Sequence, residues 1–165
     1  MTCILTSRLD HNTQTFFDTL RQEHFPKELN FLSSHLTLFH KLPDHLEVHQ
    51  YLESIDHRPI TARVDRIENI GRGVAYFINS PELQAIQKQL RTNFEKHLTP
   101  QDLQRFRPHI TIQNKVTPEA ARALLFTLRE DFQPFEIILN GLDLWHYLHG
   151  PWQHYRFFQF NEINH

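Results

Sequence analysis

Two stretches, His35-Leu36-Thr37-Leu38 and His109-Ile110-Thr111-Ile112, repeat one pattern: histidine, apolar, threonine, apolar. In a β-strand alternate residues share a face, so each stretch turns its His and Thr to one side and its two aliphatic residues to the other. The aliphatic side suits a core. The polar side presents an imidazole and a hydroxyl about 7 Å apart along an exposed face. Four His-x-Thr triplets occur in the chain, where composition alone predicts about one. The other two, His11-Asn12-Thr13 and His97-Leu98-Thr99, stand at helix-end signals; the first lacks apolar alternation and the second runs into Pro100. Each strand-like copy is followed by a helix signal, which points to two related lobes.

The flanking sequence supplies the rest of the element order. Residues 3–9 read as a short strand, and Asp10 or Asn12 caps a helix to about His24, with Phe16, Phe17 and Leu20 on one face. Pro43 and Asp44 open a helix to about Ile55. Residues 60–70 and 72–79 read as strands joined at Gly71. Ser80-Pro81-Glu82 starts a helix with cap, proline and acid in order, and Thr99-Pro100-Gln101-Asp102 starts a further short one by the same logic. Residues 107–116 form a strand, and Thr117-Pro118-Glu119 starts a helix that buries Ala121, Leu124, Leu125, Leu128 and Phe132. Residues 135–160 give two or three strands broken at Gly141 and Gly150-Pro151. Several connections are too short for helical crossovers, so the expected class is α+β, with helices packed on antiparallel or mixed sheet.

The chain has 165 residues, 39% of them hydrophobic, which is enough for one domain with a real core. Lys and Arg number 17 against 19 Asp and Glu, which excludes a strongly basic nucleic-acid coat. The single cysteine, Cys3, excludes an intramolecular disulfide framework and a multi-cysteine zinc site, and reads as a small buried hydrophobe. The N-terminal apolar run is too short for a signal peptide, and no stretch approaches the roughly 18 apolar residues of a membrane span. A cytoplasmic protein with no membrane association, and a monomer, is the expectation. Thirteen histidines are present. His45 and His49 share a face of the helix that follows Pro43, which reads as a solvated face rather than a metal site. Phe39 shares a face with His35 and Thr37, and so lines a groove or closes the core beneath it.

Two imidazoles facing each other across a cleft can serve as base and acid on opposite sides of one phosphorus atom. One takes a proton from water or a hydroxyl while the other protonates the leaving oxygen. Threonine hydroxyls can donate to the non-bridging oxygens, where charge develops. This chemistry requires no metal and no cofactor.

On these residues the chain resembles the two-histidine (2H) phosphoesterase superfamily, in its 2'-5' RNA ligase-like branch, whose hallmark is a pair of His-x-Thr/Ser-x motifs. Both motifs are complete here. The segments 98–121, 141–152 and 70–78 also look like those of bacterial members. The resemblance implies one two-lobed domain over residues 1–165: a bilobal fold of two pseudo-symmetric antiparallel sheets lining a central groove, with helices outside. It implies hydrolysis of 2',3'-cyclic phosphates of nucleotides or RNA ends, and in some members reversible 2'-5' RNA joining. His35 and His109 would be the catalytic pair and Thr37 and Thr111 the phosphate binders. Some relatives carry arginine after the second motif; here Lys115 is the nearest cation, a point charge rather than a fork. Arg107 is placed to reach a phosphate, and Tyr147 to stack on a base at the groove mouth. Two other classes remain open at this level: a catalytically silent RNA-end binding module, and a histidine-rich metal-binding protein, against which the dispersal of the histidines argues.

Overall fold

A computed structural model describes residues 1–161. Its strands are β1 (Thr2–Leu9), β2 (Leu36–Pro43), β3 (Ile60–Asn69), β4 (Val74–Asn79), β5 (His109–Gln113), β6 (Phe135–His146) and β7 (Gln153–Gln159). Its α-helices are α1 (His11–His24), α2 (Leu46–Ser54), α3 (Pro81–Phe94) and α4 (Pro118–Glu130). All strand pairings are antiparallel. The strand order is β1-β2-β5-β4-β3-β6-β7, and β1 also pairs with β6. Six strands therefore close into a barrel-like ring, and β7 extends it from β6. In place of two separate sheets there is one, joined because β6 is long enough to serve two partners. Its residues Phe135–Leu139 pair with β3 and Leu139–His146 with β1.

The helix starts follow from capping. Asp10 Oδ1 accepts from the Thr13 N–H at 3.0 Å, Ser80 Oγ from Leu83 at 3.1 Å and Thr117 Oγ1 from Ala120 at 3.2 Å, each satisfying a first-turn donor with no intrahelical partner. Helix α4 buries Ala121 and Leu125 and packs Leu124 and Leu128 at the core edge, where Phe132, expected on the helix, joins them from just past its end. Of the α1 aromatics, Phe17 is fully buried. Phe16 is 44% exposed and meets Phe17 and Phe135 edge-on. None of the helices among the described residues is long and apolar enough to cross a membrane.

Several local expectations change. Residues 99–103 form a turn, not a helix. Asp102 turns inward instead, and its carboxylate accepts from the His40 and Lys41 backbone N–H groups at 2.8 Å each. That use of the side chain outcompetes a helical first turn. Gly141 does not break β6: a Cβ there would lie 2.3 Å from the Phe158 carbonyl oxygen, so the glycine admits the close approach of β7. The 107–116 strand is confined to β5, and two strands, β6 and β7, make up the C-terminal segment. In β2 the partners step from Leu5↔Phe39 to Thr6↔Thr37, leaving Leu38 as a bulged extra residue. The bulge reverses the alternation, so Phe39 is fully buried and does not share the outward face of His35. His49 is buried rather than solvated.

Candidate active site

Strands β2 and β5 meet at the pair Leu36↔Ile110, both completely buried. Antiparallel register through that pair sets His35 opposite Thr111 and Thr37 opposite His109. The two motifs thus lie head to tail, and each histidine stands beside the other motif's threonine. Leu38 and Ile112 join the core. His35, Thr37 and Thr111 are half-buried, and His109 is exposed.

Both imidazoles are oriented in the same way. His35 Nδ1 donates to the Ser33 carbonyl at 2.8 Å, and His109 Nδ1 donates to the Arg107 carbonyl at 2.7 Å. In each case the acceptor is the backbone two residues upstream. A carbonyl can only accept, so Nδ1 carries the proton and Nε2 is the nitrogen left for chemistry.

Their surroundings differ. His35 packs against Trp152, with ring centroids 4.6 Å apart. Burial pushes its pKa from 6.5 down to about 4, the Ser33 carbonyl opposing and the positive charges of Arg21, His109 and His40 assisting. Arg21 is itself buried. It donates to Asn30 Oδ1 at 2.7 Å and to the Thr111 carbonyl at 3.3 Å, tying α1 to the second motif. His109 instead stacks on Phe77 at 5.1 Å and 25°, while the guanidinium groups of Arg66 and Arg107 lie 4.9 and 5.0 Å from the same ring.

Two cavities flank the seam. One of about 760 Å³ is lined by His35 together with Arg8, Asp143, Trp145 and Trp152. Asp143 accepts both arms of Arg8, at 2.6 and 2.7 Å, and the His154 Nε2–H at 2.7 Å. The other, of about 500 Å³, is lined by Thr37, His109, Phe77 and Arg107. Arg107 therefore sits with the second motif. Lys115 and Tyr147 line neither cavity. Lys115 lies in the turn beyond β5 at φ 61°, its N–H donating to Asn114 Oδ1. Tyr147 follows the last residue of β6 and is 56% exposed. No pattern in the chain pointed to Trp152, Phe77 or Arg21, because each reaches the motifs from an element remote in sequence. Among the described residues, the one group of three side chains able to share an ion (Cys3, Asp44 and His146) lies apart from both cavities.

The family model of the 2'-5' RNA ligase superfamily matches residues 9–151, a span that contains both motifs. The chain belongs to that superfamily. Its two-histidine phosphoesterase character is the one the paired motifs carry. Among solved structures, this superfamily member is similar in fold to TT0787 of Thermus thermophilus, with TM-score 0.67 and 16% identity over 96% of this chain and 97% of that one. It is similar to E. coli LigT complexed with 3'-AMP, with TM-score 0.60 and 16% identity over 98% of each chain. A further structure described as a phosphoesterase matches with TM-score 0.60 and 18% identity over 98% of each. No curated protein matches in sequence.

Proposed function

We propose that this protein is a phosphodiesterase that opens the 2',3'-cyclic phosphate of a nucleotide or RNA end by two-histidine acid–base catalysis, without a metal. The observation that carries this reading is the head-to-tail register through Leu36↔Ile110, which sets two imidazoles and two hydroxyls on one face. Both Nδ1 atoms are committed to backbone carbonyls, so both Nε2 atoms are available to a phosphate held between them.

In this reaction one Nε2 removes a proton from water as its oxygen bonds to phosphorus. The other protonates the ribose oxygen as its bond to phosphorus breaks. The product is a monophosphate. His35, held neutral by its burial, serves as the base. His109 then supplies the proton to the leaving oxygen. Thr37 and Thr111 donate to the non-bridging oxygens, and Arg107 adds positive charge beside His109. With the 5'-hydroxyl of a second RNA end in place of water, the same step forms a 2'-5' phosphodiester as the 3'-oxygen leaves, and in the reverse cleavage the two histidines exchange roles. A partner of modest size fits: the cavity beside His35, about 760 Å³, has room for a nucleotide, and the formal charge of -2 offers no extended attraction for a long duplex. LigT, of the same fold, has been solved with 3'-AMP and with phosphate.

The test is a product assay with the four 2',3'-cyclic mononucleotides and a cyclic-phosphate-ended oligoribonucleotide, with and without EDTA. Conversion to one monophosphate isomer that persists in EDTA supports the proposal. Binding without turnover across the panel overturns it in favour of a silent end-binding module.

A further inference from the structure

Cys3 lies near the start of β1, Asp44 directly follows β2, and His146 ends β6. The pairings Cys3↔Leu42 and Cys3↔His146 draw these strand ends together. A thiol sulfur, a carboxylate oxygen and an imidazole nitrogen consequently lie within 4.8 Å of one another. Cys3 is 1% exposed, while the side chains of Asp44 and His146 each keep 20% of their surface. His146 Nε2 meets Asp44 Oδ2 in a hydrogen bond of 3.4 Å, at the long end of the N–H···O range. That distance is also the separation of two donors on one tetrahedral zinc ion, about 3.4 Å for bonds of about 2.1 Å.

The surrounding contacts hold this arrangement in place. Asp44 Oδ1 accepts from His49 Nε2 at 2.7 Å, and His49 Nδ1 accepts from Arg156 Nη1 at 3.1 Å. Arginine can only donate, so this relay fixes His49 as the neutral Nε2–H tautomer. It orients the carboxylate and leaves Oδ2 to a second partner, which is how ligating carboxylates are commonly supported. Tyr155 packs on both imidazoles, 5.3 Å from His49 and 4.2 Å from His146, and steadies the plane of each. One thiolate and one carboxylate balance a divalent charge, with the imidazole neutral. Sulfur, nitrogen and oxygen donors in a tetrahedral set suit zinc and not magnesium or calcium.

We infer that Cys3, Asp44 and His146 form a zinc site, separate from the two-histidine groove, with water in the fourth position. Zinc displaces the thiol proton to solvent on binding, and the ion ties together the ends of β1, β2 and β6 where the ring closes.

The full chain, stripped with a chelator, is titrated with Co²⁺ and then Zn²⁺. Cys3 is the single cysteine, so a thiolate-to-cobalt charge-transfer band in the near-ultraviolet reports this site and no other. The expected result is one equivalent of Co²⁺ with that band, displaced by one equivalent of Zn²⁺. Cys3→Ser removes the band. His146→Gln and Asp44→Asn weaken binding about tenfold or more, and His45→Gln leaves it unchanged. Because Cys3 is buried, the partly exposed His146→Gln carries the test should Cys3→Ser fail to fold. Absence of the band, or one zinc per chain retained in folded His146→Gln with unchanged affinity, overturns the inference. Turnover of a cyclic phosphate is unaffected by the state of this site, so the result does not depend on the proposed activity.

Discussion

The indole of Trp152 lies against the imidazole of His35, ring centroids 4.6 Å apart at an interplanar angle of 53°. The other imidazole, His109, rests on Phe77. Both rings are locked through Nδ1 to the backbone in the same way, yet His35 is covered by an aromatic and His109 stays open to solvent. Their chemical inequality comes from these neighbours and not from the motifs, which are alike. Trp152→Ala should rehydrate His35 and raise its pKa from about 4 toward the ordinary 6.5. An NMR titration of the imidazole measures this; an unmoved midpoint would show that Trp152 does not shield it.

His35→Ala and His109→Ala should each lower kcat/KM by a factor of about 10² to 10⁴. Both side chains face outward from the sheet, so thermal unfolding should change little. Turnover at the wild-type level in either variant, with cyclic phosphate as substrate, excludes the paired mechanism.

Thr37→Val and Thr111→Val keep shape and remove one hydroxyl each. A fall of about 10² in kcat is expected where that hydroxyl donates to charge developing on the phosphate. A change confined to KM would show that it serves binding of the ground state alone.

The burial of His35 also ties stability to pH. Its pKa is about 4 when folded and near 6.5 when unfolded. Between those values the unfolded chain binds a proton that the folded chain does not, so stability falls as pH drops from about 6.5 to about 4. Denaturant titrations should show that slope, and His35→Gln should flatten it. Burial acts to raise the carboxyls of Asp44 and Asp102, but hydrogen bonds from His49 and His146 to the one and from His40 to the other outweigh it and hold both low. Their contributions are lost at more acidic pH, below the carboxylate range, and so are separable. In kcat/KM the acid limb should likewise sit near 4 and not near 6.5.

Gly141→Ala places a methyl against the Phe158 backbone oxygen. The expected cost is about 1–3 kcal/mol from overpacking, read as a lower midpoint in thermal unfolding. An unchanged midpoint would mean that β7 can move away from β6 freely.

Much of the local structure was legible because it depends on near neighbours. Ser80 and Thr117 cap α3 and α4 where their helix-start signals stand. Leu36, Leu38, Ile110 and Ile112 face the core as their alternation required. Failures came where a distant partner claimed a side chain. Asp102 left its helix-start role to hold the β2 backbone, and the Leu38 bulge sent Phe39 inward. Lys115, expected as the nearest cation to the second motif, and Tyr147, expected at the groove mouth, lie past the ends of β5 and β6 and line neither cavity.

The two motifs, the face each presents and the family they mark could all be read from the chain alone. Strand periodicity is a local property, and a two-residue repeat suffices to orient four side chains. Tertiary packing was needed to bring both motifs into one closed sheet, head to tail, with Trp152 and Arg21 beside His35 and Phe77 beneath His109. Register between strands far apart in the chain, and the burial that makes one imidazole unlike the other, are set by which remote surfaces pack together. No local pattern in the chain encodes that choice.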